Sequence, residues 1–160
     1  MKSMPSLDEN YDLWSLLAQT RQLMLKARQK ELDKCNVSSR HIYVMQVIDK
    51  IGHNATPAEI SRWLWSEPHS VSELLSRMEK LGLVRKSRDL GIKNLVRIEV
   101  TEKGRELCHQ AAKTETVHNI MSSLSEEECQ QLRSHLMKLR RKALEKLGVE
   151  GEAPFRPISR

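Results

Sequence analysis

The run of apolar and polar positions along the chain predicts helices over most of its length. From Asp8 to Leu32 the apolar residues Tyr11, Trp14, Leu17, Met24 and Ala27 recur at helical intervals, with Leu13, Leu16 and Leu23 beside them and no Pro or Gly between. That spacing predicts one long helix. A second starts near Ser38 or Ser39, whose hydroxyl can accept from the unpaired N–H groups of a first turn, and continues through Ile42, Met45, Val47 and Ile48 to Gly52. Thr56-Pro57-Ala58-Glu59 has the form of a capping box: Thr56 caps, Pro57 needs no N–H, and Glu59 can reach back. The short helix it opens turns Ile60, Trp63 and Leu64 inward, Ser66-Glu67-Pro68 interrupts it, and a further helix runs from about Pro68 to Leu81 with Gly82 at its end.

After Gly82 the period falls towards two. Leu83-Val84-Arg85-Lys86 and Leu95-Val96-Arg97-Ile98-Glu99-Val100 flank the polar segment Ser87 to Asn94, which predicts a β-hairpin with a long tip. Thr101 then caps one helix through Leu107, Ala111, Val117 and Met121. Ser125-Glu126-Glu127-Glu128 is a second capping box, opening a last helix through Leu132, Leu136, Leu139, Ala143 and Leu147 to Gly148. Residues 149–160, with Pro154 and Pro157, read as a disordered or surface-draped tail. The expected fold is mainly α with a small β-hairpin. A capped helix, a turn, a second helix and a hairpin in that order form the winged helix-turn-helix plan, in which the second helix enters the DNA major groove and the hairpin touches backbone or minor groove.

The second helix can be tested by placing its residues at 100° intervals. Val71, Leu74, Leu75 and Met78 form one stripe, with Leu81 at its edge, and this face packs inward. His69, Ser72, Glu73, Ser76 and Lys80 lie opposite, with Ser70 and Arg77 on the flank. Hydroxyls, an imidazole and cations can all bond base edges or phosphates, although any solvated helix face would look similar. The hairpin adds weight: between Arg85 and Arg97 lie Arg85, Lys86, Arg88, Lys93 and Arg97 against the single acid Asp89, a local net charge of +4 beside +6 for the whole chain. Neutralising phosphates requires such a tip. Basic residues that merely protect an edge strand from aggregation would give the same count. The candidate DNA contacts are therefore Ser70, Ser72, Ser76 and Arg77 in the helix and Arg88 and Lys93 in the wing, with His69 and Lys80 as secondary candidates.

At 160 residues, with 39% hydrophobic and 30% charged residues, the chain is long enough for one packed domain or two small ones. Met1 to Leu16 lacks a signal-peptide apolar core and no apolar run reaches membrane-spanning length, so a cytoplasmic protein without membrane contact is expected. Cys35, Cys108 and Cys129 are widely spaced and contain no CxxC, which argues for reduced thiols. Nucleophile-elbow, P-loop and HExxH signatures are all missing, so no enzyme and no cofactor is expected. A metal set of Cys108, His109, His118 and His135 fails because adjacent ligands on a helix point apart.

The runs Thr56-Pro57-Ala58-Glu59-Ile60-Ser61, Ser70-Val71-Ser72-Glu73-Leu74-Leu75-Ser76-Arg77-Met78-Glu79-Lys80-Leu81-Gly82-Leu83-Val84 and Val100-Thr101-Glu102-Lys103-Gly104 resemble the multiple-antibiotic-resistance regulator (MarR) family of transcription factors. The resemblance spans nearly the whole chain. It implies a homodimeric repressor whose first and last two helices interlock, presenting two recognition helices to double-stranded DNA at a pseudo-palindromic operator. It divides the chain into a dimerisation helix (1–36), a winged helix-turn-helix domain (37–100), C-terminal dimerisation helices (101–148) and the tail (149–160). The last helix, apolar along Leu132, Leu136, Leu139 and Ala143 and cationic towards its end, suits that role on physical grounds as well.

The resemblance also implies small phenolic or other amphipathic effectors that weaken DNA binding. Tyr11, Trp14, Tyr43, Trp63 and Trp65 could line their cleft, though core packing is the simpler role for these aromatics. Family members carry an Asp-x-Arg element in the wing, where this chain has Ile92-Lys93-Asn94; Arg88 or Lys93 would have to substitute. Two alternatives share the fold: a redox sensor acting through Cys35, where Lys34 is offset by Asp33, and a winged helix used only for protein contact.

Overall fold

A computed structural model describes residues 8–88 and 95–149. The chain runs α1 (Glu9–Leu32), α2 (Ser39–Ile51), α3 (Pro57–Leu64), α4 (Pro68–Lys80), β1 (Val84–Arg88), β2 (Val96–Val100), α5 (Glu102–Ala112), α6 (Glu115–Met121) and α7 (Glu126–Lys146). Short 3₁₀ turns at Asp33–Cys35 and Gly52–Asn54 link α1 to α2 and α2 to α3. The hairpin tip around Lys93 and the tail beyond Val149 lie outside the described residues, so those two expectations are not addressed by the fold.

One core sits under the winged segment. Ile42, Val44, Met45 and Ile48 of α2, Ile60 of α3, Val71, Leu74, Leu75 and Met78 of α4, and Val84, Ile98 and Val100 of the strands are buried together. Alternation along the strands explains the last three, since Val84 and Val100 are register partners and Ile98 is two residues back on the same face. The hairpin is antiparallel, and the Ile98 N–H also donates to Ala55 O at 2.7 Å, tying β2 to the loop before α3. The α1–α2 connection is clamped by Gln29, whose Oε1 accepts from the Ser39 N–H at 2.8 Å while its Nε2 donates to Val37 O and to Asp33 Oδ1.

Local signals mostly act as the sequence suggests. The hydroxyls of Ser38, Thr56, Thr101 and Ser125 accept from the N–H three residues on, and Ser125 with Glu128 completes a reciprocal capping box. The box expected at Thr56 is incomplete: the Glu59 carboxylate accepts instead from Arg62 Nη2 at 2.6 Å and Trp63 Nε1 at 2.9 Å. A guanidinium and an indole on the next turn compete better than one backbone amide, because the charged pair bonds more strongly.

The single helix expected from Thr101 to Met121 is in fact two. Thr114 is extended, its Oγ1 donates to Ala111 O, and the Glu31 carboxylate accepts from the N–H groups of Glu115 (3.0 Å) and Thr116 (3.1 Å). An acid from α1 thus caps α6 from 84 residues away, a position no local pattern could reveal. Core packing is also not the role of four aromatics within this chain: Tyr11, Trp14, Tyr43 and Trp65 are exposed, and only Trp63 is half-buried.

Candidate nucleic-acid interface

The turn between α3 and α4 is held by backbone geometry. Trp65 ends α3 at φ +51°, a left-handed conformation in which the Ser66 N–H returns to Ser61 O, and the Ser61 hydroxyl donates to Ser66 O at 2.9 Å. Pro68 then opens α4 with no donor to satisfy, and the Glu67 side chain does not cap that first turn.

Val71, Leu74, Leu75 and Met78 anchor the inner face of α4, and that fixes its rotation. His69, Ser70, Ser72, Arg77 and Lys80 are exposed, and Ser76 is half-buried. His69 Nε2 lies 3.2 Å from Glu73 Oε1, so part of this face is internally paired. Behind Arg77 stands His41 of α2. Burial pushes its pKa down, and the nearby charges of Arg77 and Arg40 push it further.

The wing is less basic outwardly than its composition suggests. Arg85 Nε donates to Glu99 Oε2 at 2.7 Å across the strand pair. Lys86 Nζ lies 2.9 Å from Glu79 Oε2 and donates to Ser76 Oγ at 3.3 Å. Arg97 donates to the carbonyl of His53. Three of the five cations behind the +4 count thus have partners within the protein, two of them acids beyond residues 85–97: Glu99 on β2 and Glu79 on α4. Arg88 is exposed at the end of β1. Lys93 falls outside the described residues, as does Ile92-Lys93-Asn94.

A cavity of about 790 Å³ opens between α1, α2 and the α3–α4 turn. Its walls include Leu25, Tyr43, Val44 and Leu64 together with Arg21, Lys26, Arg28 and Arg40, and no acidic residue lines it. Arg28 Nε and Ser39 Oγ, both from lining residues, are buried without a hydrogen-bond partner. Sequence reasoning found only Tyr43 among these. The rest come from three separated segments that share no motif.

The cysteines are partly buried thiols. Burial and Asp49 push Cys108 up, which keeps it protonated and unreactive, with Arg28 opposing weakly. Among the described residues no group of three or more His, Cys, Asp or Glu could hold a metal ion. No helix among them is long and apolar enough to cross a membrane.

No protein-family model and no curated protein matches the chain. Solved structures do. The organohalide-sensing RdhR transcriptional regulator, in its 2,4-dichlorophenol-bound form, is 31% identical, with a TM-score of 0.83 over 99% of this chain and 98% of that one. The chain belongs to the MarR family of transcriptional regulators. Two further structures share the fold alone. A mutant MarR from E. coli complexed with operator DNA is 19% identical, with a TM-score of 0.76 over 85% of this chain and 99% of that one. The S. aureus MepR–DNA complex is 20% identical, with a TM-score of 0.71 over 86% and 99%. As a MarR-family protein the chain is a DNA-binding transcriptional regulator and not an enzyme, and α3 and α4 with the β1–β2 wing form its winged helix-turn-helix.

Proposed function

We propose that this MarR-family chain is a homodimeric cytoplasmic repressor that binds a pseudo-palindromic operator and is released by a small aromatic acid. The observation that carries the DNA reading is the two-faced character of α4: one face is wholly buried, and the other offers His69, Ser70, Ser72, Arg77 and Lys80 to solvent. In this reading Ser70, Ser72, Ser76 and Arg77 read the major groove while Arg88 and Lys93 meet the wing-side backbone or minor groove. The DNA-bound state of two structures with this fold supports it.

The dimer rests on α1 and α7. Not one residue of the 21-residue α7 is buried, and Leu132, Leu136, Met137 and Leu139 stay exposed, as do Leu13, Trp14, Leu16 and Leu23 of α1. Helices with this much exposed apolar surface gain their main stabilisation from packing against a partner. A second copy supplies that partner, and residues 1–36 and 101–148 are the dimerising segments.

RdhR holding 2,4-dichlorophenol motivates the effector. In the present chain the apolar walls, the four cations and the unpartnered Arg28 Nε and Ser39 Oγ suit an aromatic ring carrying an acidic oxygen.

The test is binding of the purified protein to duplexes selected from a random DNA pool, titrated over salt against an unrelated duplex of equal length. Two subunits per site, preference for the selected duplex and a steep salt slope are expected, with release by 2,4-dichlorophenol. Arg77→Ala is expected to cost about 1–3 kcal/mol on the selected duplex, the worth of a bidentate base contact. Unchanged affinity would remove Arg77 from the interface. Failure to retain any duplex at low salt would favour the protein-contact reading.

A further inference from the structure

Lys86 of the wing is tied to the recognition helix by two polar contacts. Lys86 lies on the same face of β1 as the buried Val84, which aims its side chain over the C-terminal half of α4. There its Nζ sits 2.9 Å from Glu79 Oε2 and donates to Ser76 Oγ at 3.3 Å. Glu79 lies three residues after Ser76 on the same side of α4, so an uncompensated carboxylate there would face the backbone of any DNA that Ser76 reached.

We infer that Lys86 is a positioning residue: it neutralises Glu79 and orients the Ser76 hydroxyl, instead of binding phosphate itself. The inference rests on the DNA-binding reading of α4. An ammonium has three donors and no acceptor, so Ser76 Oγ must accept from Lys86. The Ser76 hydroxyl keeps its proton and one lone pair, and the positive charge fixed beside it favours its use as a donor. Used as a donor, Ser76 suits purine N7, guanine O6, thymine O4 or a phosphate oxygen. The hydrogen bond from Lys86 also holds the Glu79 carboxyl below the usual carboxylate range.

The pair contributes no net charge to the interface, which makes a charge cycle decisive. Full-length wild type, Lys86→Met, Glu79→Gln and the double variant would be titrated over salt against a duplex selected from a random pool by the wild type and a scrambled duplex of equal length. Both sites are partly exposed, and far-UV circular dichroism would verify the fold of each variant. Lys86→Met is expected to weaken both duplexes by about tenfold or more, because Glu79 is left bare against phosphate. The double variant is expected to return to within about threefold of wild type on the scrambled duplex with the wild-type salt slope, since the pair's net charge is restored. Glu79→Gln frees a cation and is expected to tighten the scrambled duplex more than the selected one.

A double variant as weak as Lys86→Met, with a salt slope flatter by about one unit, would make Lys86 a phosphate contact and overturn the inference. A wild-type protein that selects no duplex would overturn the DNA reading and this inference with it, a result visible before any variant is made.

Discussion

Gly104, the third residue of α5, ends the Val100-Thr101-Glu102-Lys103-Gly104 run, and its replacement by alanine sets two opposed effects against each other. Gly→Ala inside a helix normally stabilises by up to about 1 kcal/mol, because alanine loses less backbone freedom. Here a Cβ would overlap the carbonyl oxygen of Leu83 and approach Val100 Cγ1 to 2.8 Å and Met45 Sδ to 3.0 Å. The methionine can swing aside, but the carbonyl cannot. Leu83 O accepts from the Thr101 N–H at 3.0 Å and from its hydroxyl at 3.1 Å, while the Leu83 N–H donates to Met78 O at 2.9 Å. Relieving the overlap must therefore move the start of the wing and the end of α4 together. Overpacking of this kind costs about 1–3 kcal/mol, and the rigid obstacle places this site at the upper end. Gly104→Ala should destabilise by about 1–2 kcal/mol net of the propensity gain. At this chain length that corresponds to roughly 2–4 °C in Tm per kcal/mol. Urea unfolding at fixed protein concentration, followed by circular dichroism, measures it. DNA affinity should fall as well, because Met78 sits on the inner face of α4. A neutral or stabilised Gly104→Ala protein would refute the claim that Leu83 is held rigidly between α4 and α5.

Leu136→Glu places a charge in the exposed apolar stripe of α7 and should weaken self-association by roughly a hundredfold without unfolding the winged core, which sedimentation over a concentration series would detect. A variant as dimeric as wild type would exclude that stripe from the interface. His41 has its pKa lowered by burial and by Arg77, so the unfolded chain binds a proton more readily than the folded one. Stability should therefore decline as pH falls from above about 6.5, the ordinary histidine value, towards the lower folded value; His41→Gln should flatten that part of the curve, and an unchanged curve would assign the effect elsewhere. The Glu31 carboxylate, bonded to Thr116 and Glu115 and lowered in pKa mainly by Thr116, should lose this cap when protonated. Glu31→Ala should speed hydrogen exchange at the Glu115 and Thr116 amides while leaving the core amides slow.

The chain's local patterns determined the helices and the hairpin because those signals are short-range. Each cap at Ser38, Thr56, Thr101 and Ser125 joins residues three apart, and the apolar stripe of α4 repeats within one helix. The outward face of α4 followed from the same periodicity. Pairings across the fold were not legible. The break between α5 and α6 depends on Glu31, the wing's outward charge depends on Glu79 and Glu99, and the cavity draws on three segments. Composition counts a cation wherever it occurs, but only tertiary structure decides whether an acid lies within 3 Å of it. Burial behaves the same way: Trp14 and Leu136 carry the sequence signature of core residues yet lie at the surface of this chain. Helical periodicity shows that a face is apolar, and the packing of distant segments decides what covers it.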